Sequence, residues 1–418
     1  MINFKKYTLK NGLTLLVHFD NATPIVALNV LYKVGSRNES PDKTGFAHLF
    51  EHLMFGGSVN IPSFDQPLEK AGGENNAFTN DDITNYYITL PKENLETAFW
   101  LESDRMLNLG FSKKSLEVQR QVVIEEFKQS YLNQPYGDVW LLLKPLAYKT
   151  HPYQWNTIGK EIKHIENARM SDVKAFYKKY YNPNNAILVV AGNVDAEEIL
   201  ILAEKWFGEI PAGKPLANKI EQEPEQNEAR FLEVFRDVPA DALYKVYHMA
   251  ARGTREYYIA DMLSDVLSNG NSSRLYRRLI KEQGVFSELD AHITGDFDPG
   301  LFVFSGKPAE GISLESAEEK LLEEIERIKT EILSEEELQK IKNKLEASHI
   351  FSETSTLNNA IHLAIAESLG NVDLVNQEKA IYADIQTIEL QQIAQTLFRL
   401  ENSSTLYYRS NTKNHDAQ

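Results

Sequence analysis

The sequence predicts an α+β protein of two similar domains, each a mainly antiparallel sheet with helices packed on one side. The chain has 418 residues, which is too long for one ordinary hydrophobic core and suits two domains of about 200 residues. Strand-like and helix-like segments follow the same order in both halves. A stretch rich in Pro, Glu, Gln and Asn separates the halves. We therefore expect domains at residues 1–208 and 231–418, joined by a linker at 209–230.

The first half opens with strands and continues with helices. Asn11-Gly12 lies between two strand-like runs and predicts a hairpin over residues 7–19. β-branched and apolar residues predict a buried strand at 25–34, and an alternating pattern that ends at Pro91 predicts another at 84–90. Further periodic and apolar segments predict helices at 64–71, 94–109, 116–131, 139–148, 172–181 and 197–207, and a buried strand at 186–191. Ser171 is the expected N-cap of the helix at 172–181.

The second half repeats this order and adds long acidic helices. The predicted strands are 231–234, 243–249, 289–294, 301–305 and 405–409. The predicted helices are 257–267, 273–282, 313–330, one from 334 onward, and 389–397. Ser334 and Glu337 have the spacing of a capping box, which marks the start of the helix from 334.

Composition narrows the classes of function. The net charge of −16 argues against nucleic acid as the main partner, because phosphate binding requires a basic surface. With no cysteine, any zinc must be held by His, Asp or Glu. The N-terminus has no signal-peptide pattern, and no apolar run is long enough to span a membrane. The expected location is therefore cytoplasmic, or periplasmic if a signal peptide was removed.

The stretch from Gly45 to Phe55 predicts an amphipathic helix. Apolar residues recur in it at helical spacing: Phe46, Leu49, Phe50 and Leu53. Asp42 or Thr44 is the expected N-cap, and Gly56-Gly57 is the expected stop.

The same helix carries the pattern His48-x-x-Glu51-His52. His48 and His52 are four residues apart, so both imidazoles project from one face and can share one Zn²⁺. Glu51 lies at the edge of that face, where a carboxylate can take a proton from water at a metal. The competing interpretation is two ordinary helix histidines beside a surface glutamate.

A catalytic zinc usually has three protein ligands, so a third ligand must come from elsewhere. Glu125 and Glu126 follow an apolar Val-Val-Ile run on a predicted helix, which favours an inward direction for one of the two carboxylates. Val122, Val123 and Phe127 are expected to anchor that helix. The other histidines are scattered singly and are expected to be structural or exposed.

With these residues the chain resembles the pitrilysin-type M16 metallopeptidases, and is similar to the mitochondrial processing peptidase and its bacterial relatives. The family pattern is His-x-x-Glu-His followed by a distant Glu, and Glu126 lies 74 residues after His52. The resemblance covers nearly the whole chain and includes these segments: Gly72-Gly73, Asn76-Ala77 with Thr79, Thr84 and Tyr86, His151-Pro152-Tyr153, Ile158-Gly159, and Tyr180 to Ala186.

The resemblance implies a zinc site and a mechanism. His48, His52 and Glu126 would bind Zn²⁺, and Glu51 would be the general base. Glu126 is preferred to Glu125 because the second Glu of the pair matches the family ligand.

The resemblance also implies where the substrate binds. Asn76 and Ala77 would lie on an edge strand to which the peptide substrate adds as a further strand. The family often has a supporting Glu seven residues before the third ligand, and here that position is Gln119. An amide can still hydrogen-bond but brings no charge, so the support of the site is expected to differ.

A second departure concerns the C-terminal half. Active relatives usually carry an Arg and a Tyr there, and the matching positions are Ile280 and Ser287. One alternative is that Arg277 or Arg278, together with Tyr276, takes their place. The favoured expectation is a heterodimer with a related M16-like subunit that supplies both groups, although a homodimer remains an alternative.

The expected function is thus that of a zinc metalloendopeptidase subunit. It would hydrolyse peptides or unfolded, presequence-like segments inside a chamber formed with its partner. The alternatives are a non-catalytic M16-like interaction subunit of a larger complex and a metal-dependent hydrolase of another class.

Overall fold

The computed structural model of the protein describes residues 1–216 and 219–411. The chain forms two compact units, and each unit is built from three segments. The first unit contains Met1–Gln129, Trp155–Glu221 and His349–Asn376, and the second contains Ser130–Gln154, Gln222–Ser348 and the chain from Gln377 onward. The chain passes from the first unit to the second after Gln129, Glu221 and Asn376, and the second of these passages lies inside the predicted linker.

The first unit contains a six-stranded sheet. Its strands are β1 (Phe4–Thr8), β2 (Thr14–Phe19), β3 (Ile25–Tyr32), β4 (Glu74–Thr79), β5 (Thr84–Pro91) and β6 (Ala186–Gly192). They lie in the order β1-β2-β6-β3-β5-β4, and all neighbours are antiparallel except β2 and β6. The predicted hairpin is confirmed, because β1 and β2 pair with Thr8 opposite Thr14 around the Asn11-Gly12 turn.

The second unit contains a five-stranded sheet. Its strands are β7 (Arg230–Arg236), β8 (Ala242–His248), β9 (Phe286–Ile293), β10 (Leu301–Pro308) and β11 (Ser403–Ser410). They lie in the order β7-β11-β8-β10-β9, and only β7 and β11 are parallel. Five strands of the first sheet, β2-β6-β3-β5-β4, have the same order and the same relative directions as the five strands of the second sheet. This correspondence confirms the predicted fold class of two similar α+β halves.

The helices connect and cover the strands. They are α1 (Phe46–Met54), α2 (Asp65–Lys70), α3 (Leu95–Leu107), α4 (Lys113–Phe127), α5 (Val139–Ala147), α6 (Ile162–Glu166), α7 (Met170–Tyr180), α8 (Ala196–Phe207), α9 (Arg255–Ser268), α10 (Leu314–Thr330), α11 (Glu335–Glu353), α12 (Thr356–Ser368), α13 (Leu374–Asp384) and α14 (Thr387–Leu397). Residues Lys128–Leu132 and Tyr276–Glu282 are π-helical. No helix among the described residues combines the length and apolarity that a membrane crossing requires.

Two helices, α5 and α12, do not belong to the unit that their positions in the sequence suggest. Helix α5 lies in the first half of the chain, but it packs with the second sheet through Val139 and Leu143 against Val246 and Leu406. It thereby covers the face opposite α9, α10 and α14, so that helices lie on both faces of this sheet. Helix α12 lies in the second half and packs on β3 and β6 of the first sheet. The units therefore interleave along the chain, whereas the predicted boundaries at 208 and 231 are contiguous.

Most predicted elements are present, with a few differences. The helix predicted from residue 334 onward ends at Glu353, and the chain continues in α12 and α13, which the sequence pattern did not separate. The Ser334 hydroxyl oxygen accepts a hydrogen bond from the Glu337 amide at 3.2 Å, which is one of the two hydrogen bonds of a capping box. Ser171 is not an N-cap, because α7 begins at Met170 and Arg169 occupies the cap position.

Candidate metal centre

Helix α1 presents one polar face because its other face is anchored in the core. Six of its nine residues are buried: Phe46, Ala47, Leu49, Phe50, Leu53 and Met54. His48, Glu51 and His52 are only half-buried and share the remaining face. The predicted amphipathic helix is therefore present, with the expected polar residues turned away from the core.

The start of α1 differs from the prediction. The N-cap is Gly45, in the left-handed region with φ of 86°, and neither Asp42 nor Thr44 caps the helix. A side chain at Gly45 would meet the Ile158 carbonyl oxygen at 2.6 Å. The buried Glu39 carboxylate accepts hydrogen bonds from the amides of Gly45 at 2.9 Å and Ala47 at 2.7 Å. A carboxyl group from outside the helix therefore accepts hydrogen bonds from its first N–H groups.

Glu39 was missed in the sequence because it lies six residues before the helix, outside the usual capping positions. Burial raises the pKa of its carboxyl to about 8, and the Ala47 and Gly45 amides oppose that rise. We expect Glu39→Ala to lower the free energy of unfolding by about 1–3 kcal/mol, because it leaves buried N–H groups without an acceptor. Asp42→Ala is the control, since Asp42 is exposed and should change the free energy of unfolding little. Urea denaturation of both variants measures the difference, and equal stability would contradict this role of Glu39.

Helix α4 brings Glu126 to the polar face of α1. Val123, Ile124 and Phe127 anchor α4, whereas Val122, predicted as an anchor, is 44% exposed. Glu126 approaches both histidines, while Glu125 is exposed and forms an ion pair with Lys128 at 2.7 Å. Of the two candidate glutamates, the helix turns only Glu126 toward α1.

Three donor groups meet at this point. The Nε2 atoms of His48 and His52 are 3.2 Å apart, and the Glu126 oxygens lie 3.7 Å from His48 Nε2 and 3.5 Å from His52 Nε2. Zinc–ligand distances of about 2.0–2.1 Å in a tetrahedron separate the donors by about 3.3 Å. The spacing and the His-His-Glu chemistry therefore fit Zn²⁺ with one coordination position open. Among the described residues, such a group of three donors occurs once.

The local electrostatics keep these donors ready for a cation. Burial and the neighbouring His52 lower the pKa of His48 to about 4, against the opposing Glu126 charge, so its imidazole is neutral at pH 7. A hydrogen bond from His52 and the electrostatic effect of both imidazoles lower the pKa of Glu126 and keep it ionised. Neutral imidazole and ionised carboxylate are the forms that bind metal.

Glu51 lies beside the three donors in a different environment. Burial raises the pKa of its carboxyl, although a hydrogen bond from Thr79 opposes the rise. The Thr79 hydroxyl donates to Glu51 Oε2 at 2.5 Å and thereby fixes the direction of the carboxylate. A carboxylate held at the edge of a metal site with a raised pKa is suited to proton transfer. Thr79 belongs to a segment that carries the family resemblance, but no local pattern indicates this contact with Glu51.

Strand β4 passes next to α1 and forms an edge of the first sheet. Among the described strands it pairs with β5 alone, with Asn76 opposite Tyr87 and Ala77 opposite Tyr86. Asn76 is exposed, and its side-chain oxygen accepts a hydrogen bond from the Ala77 amide at 2.8 Å. The two predicted substrate-binding residues therefore lie on an edge strand, three and two residues before Thr79.

Gln119 lies two helical turns before Glu126 and is half-buried on α4. Its place on the same side of the helix fits the predicted supporting position, and its effect on the site remains a prediction.

The residues at the predicted Arg and Tyr positions serve the second unit itself. Ile280 packs against the core of that unit, and the Ser287 hydroxyl donates to the Lys307 carbonyl at 3.1 Å. Arg278 forms an ion pair with the buried Glu324 at 2.7 Å, which fixes its guanidinium inside the unit.

The counterpart of α1 in the second unit is α9, which carries carboxylates in place of histidines. Asp261 and Asp265 have the same spacing of four residues, and burial raises the pKa of both. Tyr382 donates to Asp261 at 2.5 Å, and Asn269 donates to Asp265. Both carboxylates are thus satisfied by neutral donors of the same unit.

This arrangement defines a class: a two-unit α+β protein whose first unit brings a His-x-x-Glu-His helix and a distant Glu together as one group of side chains that could hold a metal ion. Models of two protein families match the chain. "Insulinase (Peptidase family M16)" matches residues 15–158, and "Peptidase M16 inactive domain" matches residues 168–345.

Curated and solved relatives agree with these matches. The chain is 30% identical over 408 residues to "Zinc protease PqqE" of Helicobacter pylori, covering 96% of this chain and 92% of that protein. It is also similar to the structure described as "a protease from Helicobacter pylori", with a TM-score of 0.94, 29% identity and coverage of 98% and 100%. The periplasmic protease PqqL of Escherichia coli shares the fold, with a TM-score of 0.80 at 20% identity, and the match covers all of this chain and 49% of PqqL. The chain belongs to peptidase family M16.

Proposed function

We propose that the protein is a zinc-dependent metallopeptidase subunit. The observation that carries this proposal is the meeting of His48, His52 and Glu126 at tetrahedral spacing, with Glu51 beside them. The relatives named zinc proteases support zinc as the metal. In this assignment the three clustered residues bind Zn²⁺ and Glu51 is the general base.

The chemistry divides between the metal and the chain. A bound Zn²⁺ supplies Lewis-acid polarisation of the scissile carbonyl and lowers the pKa of water. Glu51 accepts the proton of the attacking water through its carboxylate and passes it to the leaving amine nitrogen. Thr79 holds Glu51 in the direction that this transfer needs.

The substrate class follows from the edge strand. A peptide that adds to β4 hydrogen-bonds through its main chain, so many sequences are accepted provided that they are extended. Asn76 and Ala77 lie where such a peptide would pair, next to the helix with the metal-binding residues. Unfolded or presequence-like segments meet this requirement.

Thr79 provides a test of the positioning of Glu51. We expect Thr79→Val to lower kcat by at least about tenfold, because a hydrogen bond to a charged group contributes about 1.5–3 kcal/mol. Zinc content and KM should stay close to those of the unmodified protein, since the Thr79 hydroxyl hydrogen-bonds with Glu51 and Thr84 and not with the three clustered residues. Thr79→Ser keeps the hydroxyl and should restore kcat. An equal loss in both variants would contradict a role of the hydroxyl in holding Glu51, because Thr79→Ser retains that hydroxyl.

We further propose that a related subunit completes the site. Ile280 and Ser287 replace the Arg and Tyr of active relatives, and Arg278 is held by Glu324. The match covers 49% of the PqqL chain, which is therefore about twice as long as this one. In such solved relatives a second half of similar size is part of the same chain. A separate M16-like partner would supply the equivalent half here.

Separation and recombination of subunits test this proposal. The isolated, zinc-loaded chain is expected to cleave an unfolded fluorogenic peptide at least about 100-fold more slowly than the recombined complex, because groups that stabilise transition-state charge contribute on that scale. A copurifying M16-like protein should carry the Arg and the Tyr. Full activity of the isolated chain would contradict the need for a partner, while leaving the zinc site intact.

The alternative is a non-catalytic M16-like interaction subunit. The metal-binding group is complete, and Glu51 is oriented by its own hydrogen bond, so the geometry favours the catalytic function. Zinc binding without any hydrolysis, alone or with the partner, would favour the interaction subunit instead.

A further inference from the structure

A cavity of about 1110 Å³ lies beside α7 in the first unit. Its lining comes from the end of α3, the loop before α4, α7 with the two residues that follow it, and the chain after α8. Sites for small organic ligands usually have about 300–1000 Å³, so this cavity is large enough for such a ligand. We call it the α7 cavity.

The wall formed by residues 210–216 is held in place by amide side chains of the same unit. Asn11 donates a hydrogen bond to the Ile210 carbonyl at 3.0 Å. Asn184 donates to the Gly213 carbonyl at 3.1 Å and accepts from the Gly213 amide at 2.7 Å. Because the wall is fixed by these bonds, a ligand does not have to order it, and the entropic cost of binding is reduced.

The charged residues that line the α7 cavity are all lysines: Lys174, Lys178, Lys179 and Lys214. The whole chain has 60 acidic and 44 basic residues, so four cations without a carboxylate in one lining depart from its average composition. Lys179 lies over the Tyr180 ring, 4.6 Å from its centroid. Within the described part of the chain, Lys174, Lys178 and Lys214 have no acidic partner. Their ammonium groups are therefore available to an anion.

The rest of the lining offers mainly apolar surface. More than half of the lining residues are apolar, among them Leu107, which is 45% exposed. The Tyr177 hydroxyl already donates to the Arg105 carbonyl at 2.8 Å, and the Asn182 side chain donates to the Lys178 carbonyl at 3.0 Å. A neutral polar ligand would thus find few free partners, whereas a molecule with negative charge and an apolar body would satisfy both parts of the lining.

We propose that the α7 cavity binds an amphipathic anion, an organic molecule with an apolar chain and a carboxylate or phosphate head group. The head group would lie among Lys174, Lys178 and Lys214, and the chain would cover Leu107 and its apolar neighbours. Lysine acts as a point charge and does not demand a planar partner, so both head groups fit. A concave site encloses one molecule, so the ligand is the free amphiphile and not a membrane surface.

Dodecanoate is a suitable probe at concentrations below those at which it forms micelles. Isothermal titration calorimetry on the full chain measures its binding. Acetate keeps the carboxylate but lacks the chain, and dodecyltrimethylammonium keeps the chain but carries the opposite charge. Each should bind at least about tenfold more weakly than dodecanoate, because each loses one of the two contributions.

Two variants should each weaken dodecanoate binding at least about tenfold. Lys174→Glu with Lys214→Glu reverses two of the cations at exposed positions on different segments. Leu107→Asp places a carboxylate against the apolar chain, where its desolvation is costly. Both changes are at exposed side chains, so folding should be retained, and circular dichroism of each variant checks this.

The matched controls make the same changes at exposed positions outside the lining. Lys10→Glu with Lys70→Glu, and Ile201→Asp, should leave the affinity for dodecanoate unchanged. An equal loss in the controls, or equal binding of dodecyltrimethylammonium, would overturn the proposal. Sedimentation with phosphatidylglycerol vesicles without binding of dissolved dodecanoate would assign the lysines to a membrane instead. Binding of a heptapeptide of glutamate in place of dodecanoate would assign them to an acidic polypeptide, and no readout depends on peptidase activity.

Discussion

Replacing Glu51 with Gln is expected to leave zinc bound and to slow peptide hydrolysis about 10²–10⁴-fold, the range that general acid–base groups contribute. The amide keeps the shape of the side chain and can still accept the hydrogen bond from Thr79. It cannot take the proton of the attacking water, so the step that depends on the carboxylate is lost while the three clustered residues are unchanged.

Two measurements on the same preparations check this expectation. Metal analysis should give about one zinc per chain for both proteins, and turnover of an unfolded fluorogenic peptide should fall only in the variant. Glu69→Gln, at an exposed position on α2, is the matched substitution and should keep both zinc and activity. Glu51→Gln with full activity would remove Glu51 from the mechanism, and an unmodified protein without zinc would remove the metal.

Glu126→Gln is expected to weaken zinc binding by at least about 100-fold, since loss of a ligand should exceed the 10–100-fold cost of losing a residue that only supports a ligand. Glu126 is the only carboxylate of the three donors and lies within 3.7 Å of both Nε2 atoms. Its pKa is lowered by the hydrogen bond from His52, so it is ionised and carries the negative charge that offsets the cation at pH 7.

The neighbouring Glu125 provides a matched control for the Glu126→Gln variant. Glu125→Gln removes the same charge from the same helix, but Glu125 is exposed and pairs with Lys128. Zinc titration followed by the rise in Tm should show binding near that of the unmodified protein for Glu125→Gln and little zinc-dependent stabilisation for Glu126→Gln. If Glu125→Gln lost the metal and Glu126→Gln kept it, the assignment of the third ligand would be reversed.

The elements that sequence predicts well here are those with a strong local pattern. The Asn11-Gly12 hairpin, the buried strand β6 and the amphipathic α1 each have a periodicity or turn signal that does not depend on distant residues. The His48 and His52 pair follows in the same way from helical spacing. The choice of Glu126 over Glu125 came from the family resemblance, because adjacent residues on a helix differ by only about 100° in direction.

Other features depend on contacts that no local pattern encodes. Glu39 reaches the first turn of α1 from a loop, so it carries no capping signature. Thr79 acts on Glu51 through a contact between residues 28 positions apart. The membership of α5 and α12 follows from which sheet their apolar faces cover, and sequence order alone assigns both to the opposite half.

The position of α12 has a consequence for how the protein is made. Ala360, Leu363 and Ala364 are fully buried, and their helix covers β3 and β6, two central strands of the first sheet. A ribosome that has released only the first 208 residues leaves that apolar surface without its cover. The unit that contains His48, His52 and Glu126 can therefore complete its core only after residue 368 has emerged, so its maturation is a late event in synthesis and not the first. A gene fragment that ends at residue 208 would encode a sheet with an uncovered core, and an expression boundary for this unit has to be sought beyond α12.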